Sequence, residues 1–140
     1  FTVYGPYGRP DMAYFGITKE IIDGRPTKVS EYGKTKRDFT YIDDVIEGIM
    51  ASLEKSYPYE IFNIGNGKPI EFRHFISLIE KELGKLAQKE YVPRELADIP
   101  TTSADIDYSI EKLGFYPKTP IEVGIKKFII WYKEYYKTTP

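Results

Sequence analysis

The amino-acid sequence predicts a mixed α/β fold in a single domain spanning residues 1–140. Segments with the apolar period of a helix alternate with short segments of β-branched and aromatic residues, which is typical of helices layered on a sheet. A chain of 140 residues is long enough to bury a core of its own. No internal repeat or low-complexity tract divides it.

Five short segments have the composition of strands. The first is FTVY at residues 1–4, whose β-branched and aromatic side chains suit a half-buried sheet. The others are residues 27–31, 38–41, 59–64 and 89–92. Turns rich in glycine and proline follow the first and the fourth of these segments.

Helical periodicity occurs in five segments: residues 13–23, 43–55, 72–83, 107–113 and a last helix that begins near residue 120. Glycines end the first, third and fourth of them. The second carries one apolar stripe, formed by Ile42, Val45, Ile46, Ile49 and Leu53.

Two helix starts have specific signals. Asp43 and Asp44 lie in the first turn of their helix, where a carboxylate favours the positive end of the helix dipole. In the last helix, Thr119 is the predicted N-cap and Pro120 the predicted first helical residue, while Glu122 completes a capping box.

Composition excludes several classes of function. A net charge of −1 and a pI of about 5.9 provide no general attraction for nucleic acid. The absence of cysteine excludes disulfides and thiolate metal sites. No apolar run approaches the ~20 residues that cross a bilayer, and no signal-like pattern is present, so we expect a cytoplasmic protein.

Three motif matches are interpreted as accidental. Tyr-x-x-x-Lys occurs at Tyr32 and at Tyr108, as expected by chance in a chain rich in both residue types. The Gly65-Asn66-Gly67 turn suggests a dinucleotide fingerprint, but Ile70 occupies the position of the third glycine.

Polar residues on separate loops predict a site for a phosphorylated small molecule. Arg9 lies in a loop that follows a strand and leads to a helix, which is a suitable place to hold an anion. Thr2 precedes the same loop, and Arg37 and Arg94 lie in others. Two arginines could bind a diphosphate through forked hydrogen bonds, and Asp98 could accept hydrogen bonds from a sugar diol.

Four segments in order, FTVYGPYGRPDMA, GKTKRDFTYIDDVIEGI, YEIFNIGNGKPI and DIPTTSADI, resemble the C-terminal half of extended short-chain dehydrogenase/reductase nucleotide-sugar epimerases. UDP-glucuronate 4-epimerases are the most similar group. The resemblance implies the substrate-binding C-terminal part of a Rossmann-like enzyme. The chain begins with Phe1, inside a strand pattern, so we expect that most of the N-terminal Rossmann half is missing.

The resemblance implies seven substrate-binding residues: Thr2, Arg9, Val29, Ser30, Arg37, Arg94 and Asp98. The first two would face the sugar and its carboxylate. The next two would border the uracil mainly through backbone groups, and Arg37 would contact the diphosphate. Asp98 would help to hold the nucleotide, although Ala97 stands where many relatives have glycine.

The same resemblance implies an activity for the whole protein. Such enzymes interconvert UDP-glucuronate and UDP-galacturonate by oxidising C4 with NAD to a 4-keto sugar and returning the hydride to the other face. NAD and the catalytic residues would belong to the missing half, so we expect no activity, catalytic residue or cofactor site in these 140 residues alone.

Several alternatives stay open. A nucleotide-sugar 4,6-dehydratase or a decarboxylase shares the same scaffold, and a non-catalytic binding or oligomerisation module would retain only this part. The resemblance also implies a homodimeric whole protein with a UDP-sugar as its ligand. Without the other half, strands at residues 1–4 and 59–64 would form exposed edges, through which we expect the chain to self-associate.

Overall fold

Helices and strands alternate along the chain in the computed structural model, which describes residues 1–94 and 98–138. The helices are α1 (Ala13–Asp23), α2 (Ile42–Glu54), α3 (Phe72–Leu83), α4 (Asp107–Leu113) and α5 (Ile121–Tyr136). The strands are β1 (Thr2–Tyr4), β2 (Pro26–Ser30), β3 (Lys36–Arg37), β4 (Phe39–Tyr41), β5 (Ile70–Glu71) and β6 (Gln88–Val92). A short 3₁₀ turn at Glu31–Gly33 follows β2. The predicted α/β class is confirmed.

The predicted glycine ends of three helices are confirmed. Gly24, Gly84 and Gly114 follow α1, α3 and α4 with φ angles of 69°, 67° and 70°. This left-handed conformation is easy for glycine and lets its N–H return to a carbonyl of the last helical turn. Local chemistry alone is therefore enough to fix these ends.

Strand pairing brings distant segments together in three two-stranded sheets. β1 lies parallel to β4, with Thr2 opposite Phe39, and β2 lies parallel to β6. β3 pairs antiparallel with β5. Because only Asp38 separates β3 from β4, the sheet that contains β1 adjoins the strand that carries Arg37.

The strand predicted at residues 59–64 is wrong. Within the described residues this segment pairs with no strand and is held by side chains instead. The amide of Asn63 donates to the carbonyl of Asp105 at 3.0 Å, and the hydroxyl of Ser109 donates to the carbonyl of Asn63 at 2.6 Å. A suitable composition does not make a strand when no neighbouring backbone offers a ladder.

The predicted cap of the last helix is also wrong. The helix begins at Ile121, one residue later than predicted, and no side chain caps it. Thr119 directs its N–H and its hydroxyl to the Asp44 carboxylate, at 3.0 and 3.1 Å. Asp44 is 3% exposed, so a partner 75 residues away in the sequence takes the hydroxyl that would have capped the helix.

The core lies among α1, α3, α5 and the β1–β4 sheet, and aromatic rings fill much of it. Phe39 stacks on Phe75 with ring centroids 4.1 Å apart, and Tyr14 meets Phe128 edge to face at 4.9 Å. α5 approaches β1 closely at Gly124, where a Cβ atom would collide with the Tyr4 hydroxyl. Burial raises the pKa of that phenol, with the Asp44 carboxylate as the next cause.

Helix α2 exposes most of its predicted apolar stripe, while Ile42 and Val45 are partly buried. Its buried residues are Asp44 and Gly48, and a Cβ atom at Gly48 would press against Ile64 and Phe115. On the opposite face, four apolar side chains follow the i, i+3, i+4, i+7 spacing of one helix face and are 44–73% exposed: Ile46, Ile49, Met50 and Leu53. We call these four residues the α2 stripe. None of the helices in the described part of the chain is long and apolar enough to cross a membrane.

The α2 stripe predicts self-association of the 140-residue chain, because contiguous apolar side chains on a surface favour contact with another copy. We expect light scattering to show an average mass that rises with protein concentration. Replacing Ile49 and Leu53 with Gln should reduce this rise. The matched control is Val123→Gln with Ile130→Gln on α5, which should leave it unchanged. A monodisperse monomer at high concentration would contradict the prediction.

Candidate functional site

Four of the seven predicted site residues line one cavity of about 290 Å³. They are Thr2 at the start of β1, Ser30 at the end of β2, Arg37 in β3 and Asp98. Apolar side chains from α1, β4 and α3 complete the wall, with Thr35 beside them. Residues from three distant parts of the sequence, near positions 2, 30–37 and 98, therefore line one opening.

Arg37 is held in place from two sides. One terminal nitrogen donates to the carbonyls of Lys36 and Pro100, at 2.8 and 3.4 Å. The other donates to the carboxylate of Asp98. Both side chains of this ion pair are partly buried, with 21% and 34% exposure. A planar guanidinium fixed by several acceptors is well suited to meet a second anion in a defined orientation.

Arg94 joins the same network from the neighbouring loop. Its Nε lies 3.1 Å from the Glu31 carboxylate, and a terminal nitrogen donates to the backbone carbonyl of Asp98. The side chain faces a second cavity of about 530 Å³, which Lys34 also lines. Residues 95–97, including Ala97, lie outside the described residues.

Arg9 lies next to the first cavity but not in it. It lines a third cavity of about 390 Å³, and Met12 lines both. The guanidinium is 3.0 Å from Asp11, with side chains 75% and 67% exposed, and such an exposed pair is weak. Arg9 is therefore readily available to another carboxylate.

The loop that carries Arg9 packs on the phenol of Tyr14. A Cβ atom at Gly8 would overlap the Tyr14 hydroxyl, so the close approach requires glycine there. Burial raises the pKa of Tyr14, and the nearby Arg9 guanidinium opposes this shift. The Tyr14 phenol therefore stays neutral, and the loop that carries Arg9 rests on it at the start of α1.

Val29 contributes no side chain to the site. It is 1% exposed and belongs to the core. In the β2–β6 pair it lies opposite Tyr91. Only its backbone groups could therefore approach a ligand, and the role that the resemblance implies for Val29 and Ser30 stays a prediction.

Asp38 is the important residue that sequence reasoning missed. Its carboxylate is fully buried and accepts N–H groups from Asn66, Gly67 and Ala104, at 2.8, 2.9 and 2.8 Å. It also accepts the hydroxyl of Thr40 at 3.2 Å. The available sequence signal is a carboxylate in a strand-like segment, where aspartate is uncommon. That signal does not reveal the partners.

These hydrogen bonds also settle what the Gly65-Asn66-Gly67 turn can bind. The N–H groups of Asn66 and Gly67 already point at Asp38, so they are not free to cradle a dinucleotide phosphate. The turn leads to the two-residue strand β5 instead of opening a helix directly. These residues do not fit NAD. No group of potential metal-binding side chains was found among the described residues.

Comparison with known proteins shows which proteins this chain resembles in sequence. Residues 1–65 match the model of the NAD dependent epimerase/dehydratase family. The chain is 45% identical over 135 residues to a UDP-glucuronate 4-epimerase of Thermodesulfobacterium geofontis, covering 96% of this chain and 42% of that protein. It is 50% identical over 134 residues to an uncharacterised protein of Methanocaldococcus jannaschii, covering 96% of this chain and 41% of that one.

Solved structures show the same relationship. The fold matches a UDP-glucuronic acid 4-epimerase from Bacillus cereus, in complex with UDP-glucuronic acid and NAD, with a TM-score of 0.89 and 35% identity. The match covers 97% of this chain and 44% of that one. The chain is related to the NAD dependent epimerase/dehydratase family. It spans less than half the length of these relatives.

The family model covers five of the seven predicted site residues. Thr2, Arg9, Val29, Ser30 and Arg37 lie within residues 1–65 that the family model covers. The other two predicted residues follow that range and reach the site through the loop beside Arg37.

Replacing Asp38 with Asn should destabilise the chain by about 2–3 kcal/mol, because an amide nitrogen would face N–H donors that now share a carboxylate. Urea unfolding followed by circular dichroism measures this free energy. Asp11→Asn, at an exposed carboxylate, is the control and should cost less than about 0.5 kcal/mol. Equal effects of the two substitutions would contradict the role given to Asp38.

Proposed function

We propose that this chain is the sugar-nucleotide-binding part of an NAD-dependent nucleotide-sugar epimerase that acts on UDP-glucuronate. The observation that carries the proposal is the convergence of Thr2, Ser30, Arg37 and Asp98 on one cavity. Hydroxyl, guanidinium and carboxylate groups together match the chemistry of a sugar diphosphate. The related proteins named as UDP-glucuronate 4-epimerases support the choice of substrate.

In this proposal, Arg37 receives the diphosphate. Its guanidinium already binds one anion, the Asp98 carboxylate, at the wall of the cavity. A diphosphate carries more negative charge than a carboxylate and can share or replace this contact through the same forked donors. Asp98 is then available to accept hydrogen bonds from hydroxyl groups of the ligand.

Arg9 is assigned to the carboxylate of the sugar. It lies in the cavity that shares Met12 with the diphosphate cavity, and its guanidinium is engaged by an exposed ion pair with Asp11 and a contact with the Met12 sulfur. The hydroxyl of Thr2, between the two, would face the sugar ring. In this proposal the sugar is bound by β1 and the loop that follows it, and the diphosphate by Arg37 in β3.

Epimerisation is proposed for the whole protein and not for these 140 residues alone. When bound, NAD supplies removal and return of the hydride at C4 of the sugar. The Gly65-Asn66-Gly67 turn does not fit NAD, and the proposal places that cofactor in a part of the whole protein outside this chain. The task of this chain is to bind and orient the UDP-sugar. The proposal includes a homodimeric whole protein, as the resemblance implies, and a cytoplasmic location, as expected from the sequence without a signal-like pattern.

Replacing Arg37 with Ala should weaken the binding of UDP by about 10- to 100-fold, because charge-assisted hydrogen bonds to the diphosphate are lost. Isothermal titration calorimetry of the 140-residue chain with UDP measures the change. Arg25→Ala, at an exposed arginine paired with Asp23, is the control and should bind as the unaltered chain does. Similar affinities for both variants would argue against the assignment.

Arg9 should set the preference for an acidic sugar. We expect the chain to bind UDP-glucuronate more tightly than UDP-glucose, and Arg9→Ala to bring the two affinities within about twofold because it removes one partly solvated ion pair. The same titrations provide the measurement, with Arg25→Ala again as the control. An undiminished preference in Arg9→Ala would place the sugar carboxylate elsewhere.

A further inference from the structure

The cavity of about 530 Å³ next to the diphosphate cavity has an aromatic wall that the proposed roles do not use. Tyr32 and Tyr91 lie against each other there, with ring centroids 5.1 Å apart and an interplanar angle of 34°. Both rings are largely exposed, at 68% and 53%. Lys34 and Arg94 add positive charge to the same wall.

This cavity adjoins the diphosphate cavity through two direct links. Ser30 lines the first cavity and Glu31, the next residue, lines the second. Arg94 binds the backbone carbonyl of Asp98, whose carboxylate holds Arg37. A ligand with its diphosphate on Arg37 could therefore extend its nucleoside into the aromatic cavity.

The backbone that presents Tyr32 is strained. Glu31 and Tyr32 have φ angles of 45° and 55°, in the left-handed region that bulky residues avoid. The Arg94–Glu31 ion pair and the pairing of β2 with β6 hold this turn in place. Strain of this kind persists where the surroundings impose it and is frequent at ligand clamps.

Within the proposed site, the segment assigned to the base lacks a stacking surface. The Val29 side chain is buried in the core, and Ser30 has no ring. A nucleobase in such a site gains much of its affinity by stacking on an aromatic side chain. Tyr32, two residues beyond Ser30, is the exposed aromatic residue closest in sequence to that segment.

We propose that Tyr32, backed by Tyr91, is the stacking surface for the nucleobase of the bound sugar nucleotide. This inference rests on the proposed function and extends it from the diphosphate to the base. Lys34 lies on the same wall, where Arg94 is paired with the Glu31 carboxylate. Stacking accepts any pyrimidine ring, so Tyr32 contributes affinity, and discrimination among bases comes from other groups.

The test compares UDP with inorganic pyrophosphate, which lacks a base. By calorimetry, Tyr32→Ala should weaken UDP binding about 5- to 100-fold, the range of base–aromatic stacking, and leave pyrophosphate binding within about twofold. Tyr32→Phe should bind UDP as the unaltered chain does, because the ring is retained. Tyr116→Ala, at another exposed tyrosine, is the control and should change neither affinity.

Each other outcome overturns a specific part of the argument. If Arg37→Ala weakens UDP binding and Tyr32→Ala does not, the base lies elsewhere and only this inference fails. If Tyr32→Ala weakens UDP and pyrophosphate equally, Tyr32 shapes the turn and does not stack on the base. If the unaltered chain binds neither probe, the proposed function fails and this inference with it.

Discussion

The carboxylate of Asp38 connects segments that are far apart in the sequence. It lies between Arg37 in β3 and Phe39 in β4, and it takes the N–H groups of the turn after residue 64 and of Ala104. Its own N–H donates to the Thr102 hydroxyl at 3.1 Å. A buried charge is tolerated only when its hydrogen bonds are complete, so these loops are held at fixed positions around it. The position of Arg37, the preceding residue, depends on that arrangement.

The charged groups at the site balance one another in two ion pairs. Two arginines, Arg37 and Arg94, meet two carboxylates, Asp98 and Glu31, and both arginines also contact the residue 98 segment. The network is neutral as it stands, so a diphosphate must be accommodated by rearranging existing pairs. The arrangement therefore favours anions that can compete with a carboxylate.

Sequence patterns predicted features that depend on nearby residues. Helix ends at Gly24, Gly84 and Gly114 were correct because a left-handed glycine acts on its own helix. The strand at residues 59–64 and the Thr119 cap were wrong, because each depends on a partner distant in sequence. The structure collects four of the seven predicted site residues in one cavity, but their roles toward a ligand remain predictions. The role of Asp38 was not predicted because the backbone N–H groups that its carboxylate accepts lie 28 to 66 residues away in the sequence.

Helix α2 reverses the usual relation between polarity and burial. Its inner face is anchored by the Asp44 carboxylate and by close packing at Gly48, while the α2 stripe faces outward. Sulfate and phosphate salts strengthen apolar contacts, and dissolved ions screen exposed charge pairs such as Lys118–Glu47 at the same helix. The buffer anion therefore changes how strongly the α2 stripe favours contact with another apolar surface.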